Sequence, residues 1–323
     1  MKKILPVHQP IVTTFTAYGA IFSILPESAL PWIVNNFIQI NYVYDWNVVT
    51  FDGHKLLMSN CPSIDYFNDE GDYYDEGSFS ELKEKIIQSI DKDEYLYIYV
   101  DRFFVECSDY YQKYHMPHEI FVYGYDLSSD IVYVGDNLQK GKFVFDTCSF
   151  YSILKAYCVL QADFKFFKVI RKLRVCENNT CMLNINQIKY GLEVYLNSSE
   201  TYTIVGESSK MNYGIKIIDD INKKILNNKG EDIDIRFFQL LYEHKLLMDM
   251  RVKFLINCGH IDQDKINVKK FEEIKDNAMI LRNLVLKYNL SKKEGLLSSI
   301  HSRLCEIKAM DILLLSALLD YIE

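Results

Sequence analysis

The chain has 323 residues, of which 49% are hydrophobic, 25% charged and 14% aromatic. These proportions, with only 13 glycines and 6 prolines, are typical of a folded globular protein and exclude a disordered or collagen-like chain. The formal net charge of −8 argues against nucleic acid as a partner, because an acidic surface repels phosphate backbones.

Membrane and metal partners are not expected either. No uncharged apolar run reaches the length of a membrane span, and the apolar stretch of a signal peptide does not follow Met1, so we predict a cytoplasmic protein with no membrane partner. In that compartment the eight cysteines are expected to be reduced thiols. Cys176 and Cys181 are spaced for metal binding, but no second such pair follows, so we predict a plain loop and no metal site.

The N-terminal third predicts short elements. Residues 16–25 are typical of a short buried helix that Pro26 ends, and residues 30–40 of a second helical run. Residues 42–65 predict irregular strand and loop, and residues 80–90 a further helix.

The middle of the chain predicts a sheet. Bulky β-forming residues at 95–104, 119–125 and 131–134 indicate three strands, and the turn residues at 126–130 make the last two an antiparallel hairpin. Further elements are expected as a strand at 142–146, a helix at 149–160 and a strand at 164–175.

From about residue 184 the pattern changes to apolar residues near a spacing of 3.6, which is typical of helices. We predict five helices in succession, at residues 185–196, 213–226, 235–257, 268–288 and 296–321. The fold class is therefore predicted as α+β, with an N-terminal domain at residues 1–178 and a mainly helical domain at residues 179–323.

One segment of the predicted sheet could carry chemistry. His118 opens a strand, and the next strand ends in Asp136, so the two side chains can face each other across the hairpin. A histidine whose tautomer is set by a carboxylate is the base-and-orienter half of a nucleophilic triad. A strand-edge histidine with a structural partner is the alternative interpretation.

At this point the sequence resembles a known family. His118, an apolar strand with Gly124-Tyr125-Asp126, a short turn and a strand ending in Asp136 resemble the His–Asp half of papain-like cysteine proteins. The resemblance is to the family of the butirosin biosynthesis protein H N-terminal type, which is often encoded beside nonribosomal peptide or aminoglycoside pathways. Residues 30–40, 191–202 and 237–251 are also similar to that group.

The resemblance implies a papain-like fold and acyl or peptidyl transfer. In that family a cysteine thiolate takes an acyl group from the phosphopantetheine thioester of an acyl or peptidyl carrier protein, and an amine-bearing small molecule then resolves the acyl-enzyme. His118 would be the base and Asp136 the residue that orients it. The nucleophile would stand at the start of the first buried helix, where the helix dipole lowers a thiol pKa, and a glutamine about six residues earlier would complete the oxyanion hole.

The sequence departs from this pattern because no cysteine stands at the start of that helix. Gln9 lies where the oxyanion glutamine is expected, and Thr14 lies near the nucleophile position, although simple N-capping also explains a threonine there. Cys61, in a loop before Pro62, is the best substitute thiol, although a small buried core residue is the alternative. His115 could compete with His118 for the role of base.

Two functions follow from these observations. The first is acyl or peptidyl transfer in specialised-metabolite biosynthesis, with the nucleophilic cysteine absent. The alternative is a catalytically inactive relative, a pseudoenzyme that binds a carrier protein or peptide intermediate as a scaffold. The chain lacks the GxGxxG, GxxxxGK[ST], HExxH and GxSxG patterns, so we predict no cofactor. Tyrosines clustered at 95–99, 110–114 and 123–133 are interpreted as partly core and partly the wall of a groove.

Overall fold

The computed structural model describes residues 1–69, 74, 76–160, 169–176, 179, 181–201 and 210–322. The strands are β1 (Lys2–Ile4), β2 (Ile40–Val43), β3 (Val48–Phe51), β4 (Ile64–Asp69), β5 (Tyr95–Asp101), β6 (Pro117–Asp126), β7 (Ile131–Gln139), β8 (Lys142–Ser149), β9 (Ile170–Val175) and β10 (Met211–Tyr213). The α-helices are α1 (Thr16–Phe22), α2 (Leu30–Asn35), α3 (Phe79–Asp91), α4 (Phe150–Cys158), α5 (Ile185–Asn197), α6 (Lys216–Leu226), α7 (Ile235–Asn257), α8 (Val268–Ser291) and α9 (Gly295–Tyr321). The predicted α+β class, with an antiparallel sheet followed by a helical region, is confirmed.

The chain divides into two compact units. The first unit consists of Met1–Ala29 with Leu56–Thr180, and the second of Leu30–Lys55 with Cys181–Glu323. This division differs from the predicted one, which placed residues 30–55 in the N-terminal domain. The segment belongs to the second unit because β2 pairs with β10 and because the Arg251 side chain on α7 donates to the backbone oxygen of Val34 at 2.7 Å.

The first unit is built on a seven-stranded sheet in the order β4-β9-β5-β6-β7-β8, with β1 added beside β6. Every strand pair in it is antiparallel. The central strand β6 pairs with β5 from Pro117 to Val122 and with β1 from Gly124 to Asp126. Both partners therefore share one edge of β6, while β7 covers the other.

Gly124 is required where β1 joins this edge. A Cβ atom at this position would lie 2.8 Å from the backbone oxygen of Lys3 and 2.9 Å from the Cα atom of Ile4, which is closer than such atoms approach. The register between β6 and β7 also shifts between Val122 and Gly124, as a β-bulge does. The glycine of the Gly-Tyr-Asp sequence thus serves strand packing.

The second unit combines a small antiparallel sheet, in the order β10-β2-β3, with helices α2 and α5 to α9. The long helix α7 packs against α8, and α8 packs against α9. His244 on α7 is fully buried, although the sequence places it on a helix beside the charged Lys245. The reason is that α7 buries residues on all its sides, including Glu243, Lys245 and Arg251, which a helical spacing alone does not reveal.

The five C-terminal helices are present within a few residues of their predicted bounds, as are the strands and hairpin at the centre of the first unit. The predicted helix at 30–40 is wrong beyond Asn35, since Phe37 has a φ of 57° and the chain enters β2 at Ile40. The predicted strand at 164–175 is found from Ile170 to Val175, and its first residues lie outside the described ones.

Among the described residues, no single helix has both the length and the apolar composition needed to cross a membrane. The short helical segments Thr16–Phe22 and Glu27–Asn35 reach the required length and apolar composition only when they are counted together across the bend between them.

Candidate functional site

The β6–β7 hairpin brings His118 and Asp136 together. Phe121 pairs with Gly135, so the same register continued by one residue places Asp136 opposite Ile120, on the face of β6 that His118 shares. The His118 Nδ1 atom lies 3.4 Å from Asp136 Oδ1 and 3.1 Å from the backbone oxygen of Glu119. Because both oxygens accept, Nδ1 carries the hydrogen and Nε2 is the free acceptor of the neutral ring.

Asp136 is fully buried and is surrounded by donors. Its Oδ1 atom accepts from the hydroxyl of Thr16 at 2.5 Å and from the backbone N–H of Asn137 at 2.6 Å. Its Oδ2 atom accepts from Nη2 and Nε of Arg102 at 2.5 and 3.1 Å. Burial raises the pKa of this carboxyl, but hydrogen bonding and charge from His118, the charge of Arg102 and the Thr16 hydroxyl outweigh it, so the pKa is lowered and Asp136 stays ionised.

The same contacts set the basicity of His118. Burial lowers the pKa of the imidazole, the hydrogen bond and charge of Asp136 raise it, and the charge of Arg102 lowers it again. The net effect is a pKa above the ordinary value of 6.5. The side chain is 24% exposed, so the buried carboxylate supports a ring that solvent can reach.

Arg102 is a residue of this site that sequence reasoning missed. The predicted strand at 95–104 ends at Asp101, and Arg102–Phe104 form a short 3-10 helix capped by the Asp101 side chain, which accepts from the Phe103 N–H at 3.0 Å. This turn directs the guanidinium of Arg102, whose side chain is 4% exposed, onto Asp136. A lone arginine at the end of an apolar strand was the available signal.

The hydroxyl at the start of the first helix belongs to Thr16 and not to Thr14. Helix α1 begins at Thr16, with Phe15 as its N-cap, so the alternative interpretation of Thr14 as a simple N-cap is wrong. Thr14 is buried, but the hydroxyl that reaches Asp136 comes from Thr16. Asn137 adds a second link to this region, since its Nδ2 atom donates to the backbone oxygen of Thr13 at 2.9 Å.

The contacts found for the His118 imidazole are made by its Nδ1 atom. They go to Glu119 and Asp136. Gln9 stands in the extended segment between β1 and α1 with an exposed side chain.

Cys61 does not belong to this site. It is buried three residues before β4, and two strands separate β4 from β6, a lateral distance of about 14 Å. Cys61 also lies at the opposite end of the sheet, because Ile64 pairs with Val175 beyond the Tyr95 end of β5, whereas His118 pairs with Val100 near the other end.

His115 has its own partner and is separate from Asp136. Its Nδ1 atom lies 2.7 Å from Asp101 Oδ2, its ring stacks on Phe103 with 4.2 Å between centroids, and 67% of its side chain is exposed. The structure therefore distinguishes a surface histidine from the half-buried His118.

The tyrosine clusters are partly core. Tyr95, Tyr97, Tyr123 and Tyr125 are all at most 7% exposed, which confirms the core part of the prediction for these four, while a groove wall stays a prediction for the rest. Their side chains point inward because each stands on a covered face of the sheet. Only Tyr114, at 68%, is a largely exposed member of the 110–114 cluster.

The described residues contain no group of three or more His, Cys, Asp or Glu side chains placed to hold a metal ion. Compared with known proteins, the chain matches no protein-family model and none of the curated proteins.

Proposed function

We propose that this protein transfers an acyl or peptidyl group from a thioester to an amine, with His118 as the general base. The observation that carries the proposal is the His118–Asp136 pair, in which a buried, ionised carboxylate holds Nδ1–H and leaves Nε2 free to accept a proton. The resemblance of the segment around this pair to papain-like acyltransferases supports the same reaction class.

The reaction needs no covalent intermediate. The amine nitrogen attacks the thioester carbon while His118 Nε2 takes one of its protons. When the tetrahedral intermediate collapses, the C–S bond breaks and the leaving thiolate receives that proton from the imidazolium, so amide and thiol are formed and His118 is regenerated. This direct route suits the site because no cysteine stands at the start of α1, and it requires no cofactor.

The substrates are inferred from the resemblance. The acyl donor would be the phosphopantetheine thioester of an acyl or peptidyl carrier protein, and the acceptor an amine-bearing small molecule. Thr16 holds Asp136 through its hydroxyl, and Thr14 remains the residue near the nucleophile position of the family pattern. Gln9 remains the proposed oxyanion residue by position.

Binding without turnover is the second candidate function. It is favoured by the ion pair between Arg102 and Asp136, because a carboxylate already neutralised by a guanidinium stabilises an imidazolium less strongly. On this alternative the protein would bind a carrier protein or a peptide intermediate as a scaffold.

The test is acyl transfer from acetyl-pantetheine to glycinamide, followed by free-thiol release and mass spectrometry of the amide. We expect His118→Ala to lower the rate by at least about 100-fold, the usual share of a general base. His115→Ala is the matched control, since it removes a nearby surface histidine, and should keep the wild-type rate.

Intact-mass analysis of the same mixtures completes the test. The direct route predicts no acylated protein, so an acyl adduct on the wild-type chain would mean that a side chain of the protein attacks the thioester. No thiol release above the uncatalysed rate between pH 6 and 9, together with measurable binding of an acyl carrier protein, would favour the scaffold.

A further inference from the structure

The second unit contains a cleft of about 510 Å³. Its walls are the β2–β3 hairpin, the end of α6, the loop at residues 227–234 and the start of α7. This volume is in the range of pockets that hold small molecules. The cleft lies in the unit that does not contain His118 and Asp136, so an occupant would have a role beyond the proposed acyl transfer.

Part of the cleft is apolar. Its lining includes Val49, Ile221, Ile225, Phe237 and Phe238, each of which is at most 8% exposed. Side chains so deeply packed are held in place, so the small part of each that faces the cleft is a fixed apolar surface on which hydrocarbon can pack. The lining therefore suits the hydrocarbon part of a ligand.

A lysine is held in position at the edge of this surface. The Lys224 Nζ atom donates to the hydroxyl of Tyr42 and to Asn47 Oδ1 at 2.7 Å, and it lies 4.9 Å from the centre of the Tyr42 ring. The Tyr42 hydroxyl in turn donates to Asn47 Oδ1 at 2.8 Å. An ammonium group has three N–H donors, so one is left for a ligand.

The charge of Lys224 is not neutralised within the described ranges, where both its partners are uncharged groups. The nearby carboxylates are engaged elsewhere, since Asp234 pairs with Arg236 at 2.6 Å and Asp232 pairs with Lys292. The other charged lining residues are Lys223, Lys229 and Glu231. Positive charge is thus in excess at this cleft, although the protein as a whole carries −8.

The loop that forms one wall is fixed by side chains of α8. Asn289 donates to the backbone oxygen of Ile233 and accepts from its N–H, both at 2.8 Å. The hydroxyl of Tyr288 donates to Asn228 Oδ1 at 2.6 Å, and the same oxygen accepts from the N–H of Gly230 at 2.9 Å. A wall ordered before binding reduces the entropy that a ligand must offset.

We infer that this cleft binds a small amphiphilic anion, with one carboxylate or phosphate group on an apolar body. The anion accepts from Lys224, which Tyr42 and Asn47 hold in place. The apolar body packs on the isoleucine and phenylalanine side chains of the lining.

Isothermal titration calorimetry with a chain-matched series tests this inference. Octanoate and octyl phosphate should each bind at one site, whereas octanol and inorganic phosphate should bind at least about tenfold more weakly. The two anions also distinguish a carboxylate ligand from a phosphate ester. Lys224→Met removes a charged hydrogen bond, so we expect it to weaken the binding of whichever anion binds more tightly by about 10- to 100-fold. Lys287→Met, at an exposed lysine on α8, should leave that affinity unchanged.

Tyr42→Phe gives an independent variant, because it removes only the hydroxyl that positions Lys224, and it should weaken binding several-fold. Equal binding of octanol and octanoate, no binding of either anion, or an unchanged affinity in a folded Lys224→Met protein would each overturn the inference. His118→Ala should not alter the titration, so failure here is separate from failure of the proposed acyl transfer.

Discussion

Three side chains contact the buried carboxylate of Asp136 at the candidate site. Asp136 accepts from Thr16 and Arg102 and faces His118. Asp136 makes His118 more basic and Arg102 makes it less basic, so the strength of the proposed base depends on the difference between two opposed charges. Substitutions at Asp136 and at Arg102 should therefore shift the pKa of His118 in opposite directions.

We expect Asp136→Asn to lower the pKa of His118 and Arg102→Met to raise it. The first change removes the carboxylate that stabilises the imidazolium, and the second removes a cation that disfavours it. The measurement is an NMR titration of the histidine ring signals. The His115 resonance is the internal control, because Asp101 is its partner in every variant. A His118 pKa that moves in the same direction in both variants would contradict this assignment.

Thr16 is expected to act through Asp136. Thr16→Val keeps the shape of the side chain and removes the hydroxyl, leaving the buried Asp136 Oδ1 with one donor fewer, so we expect a loss of about 1–3 kcal/mol in the free energy of unfolding. Thr16→Ser retains the hydroxyl and should retain most of the stability. Urea unfolding measures both, and a Thr16→Val variant as stable as the wild type would contradict a stabilising role for this hydroxyl.

The sequence is sufficient to predict the pairing of His118 with Asp136, since it follows from a hairpin whose turn residues are local. Arg102 and Thr16 could not be found in the same way. Whether Arg102 continues the strand or turns inward depends on the cap that Asp101 makes, and which of three neighbouring threonines reaches Asp136 depends on where α1 begins. The partner of both side chains, Asp136, stands 34 residues from Arg102 and 120 residues from Thr16, so no local pattern reveals either contact.

Among the elements, α7 carries an unusual run of buried polar residues. Lys245 donates to Asp311 on α9 and to His244 Nδ1 at 3.0 Å. The hydroxyl of Tyr195 on α5 donates to the same Asp311 oxygen at 2.6 Å, and His244 Nε2 donates to the backbone oxygen of Ile38 at 2.8 Å. One connected set of hydrogen bonds thus joins three helices and the segment before β2.

Removing one charge of the Lys245–Asp311 pair is expected to destabilise the second unit. Lys245→Met and Asp311→Asn should each lower the free energy of unfolding by about 3–5 kcal/mol, because each leaves the other charge buried without its partner. The double variant Lys245→Met with Asp311→Asn should lose less than the sum of the two single losses, since it removes both charges.

Lys270→Met is the control for these variants. Lys270 lies on α8 in the same unit and pairs with Glu273 at 2.6 Å, and 49% and 51% of the two side chains are exposed. Pairs of that kind contribute about 0–1 kcal/mol. If Lys245→Met cost no more than Lys270→Met in urea unfolding, the buried network would not stabilise the unit.

At the scale of the whole molecule, local sequence patterns predict single helices, whereas long-range strand pairing decides which unit a segment belongs to. Helical spacing is enough to place α7 at residues 235–257, because the pattern is local and long. It cannot assign Leu30–Lys55 to the second unit, since that depends on the pairing of Tyr42 with Asn212, which no local pattern reveals. The burial of His244 escaped prediction for the same reason.

The two units contain histidines with opposite responses to pH. The pKa of His118 in the first unit is raised, so it contributes stability that is fully present below pH 6.5 and is lost as the pH rises through its folded pKa. The pKa of His244 in the second unit is lowered well below 6.5, by burial first and then by the charge of Lys245. Acid should therefore favour the first unit and destabilise the second through these residues.

We expect the second unit to lose about 2 kcal/mol between pH 8 and pH 5 through His244 alone, because below pH 6.5 the unfolded state binds a proton that the folded state excludes. The two tryptophans of the chain, Trp32 and Trp46, both lie in this unit, so urea unfolding followed by tryptophan fluorescence reports on it. His244→Gln cannot titrate and should remove about that much of the pH dependence.

His118→Gln is the control, and it should leave the tryptophan-detected dependence unchanged. A pH dependence that is the same in His244→Gln and the wild type would contradict a buried, neutral His244, and a change in His118→Gln would mean that the two units unfold together.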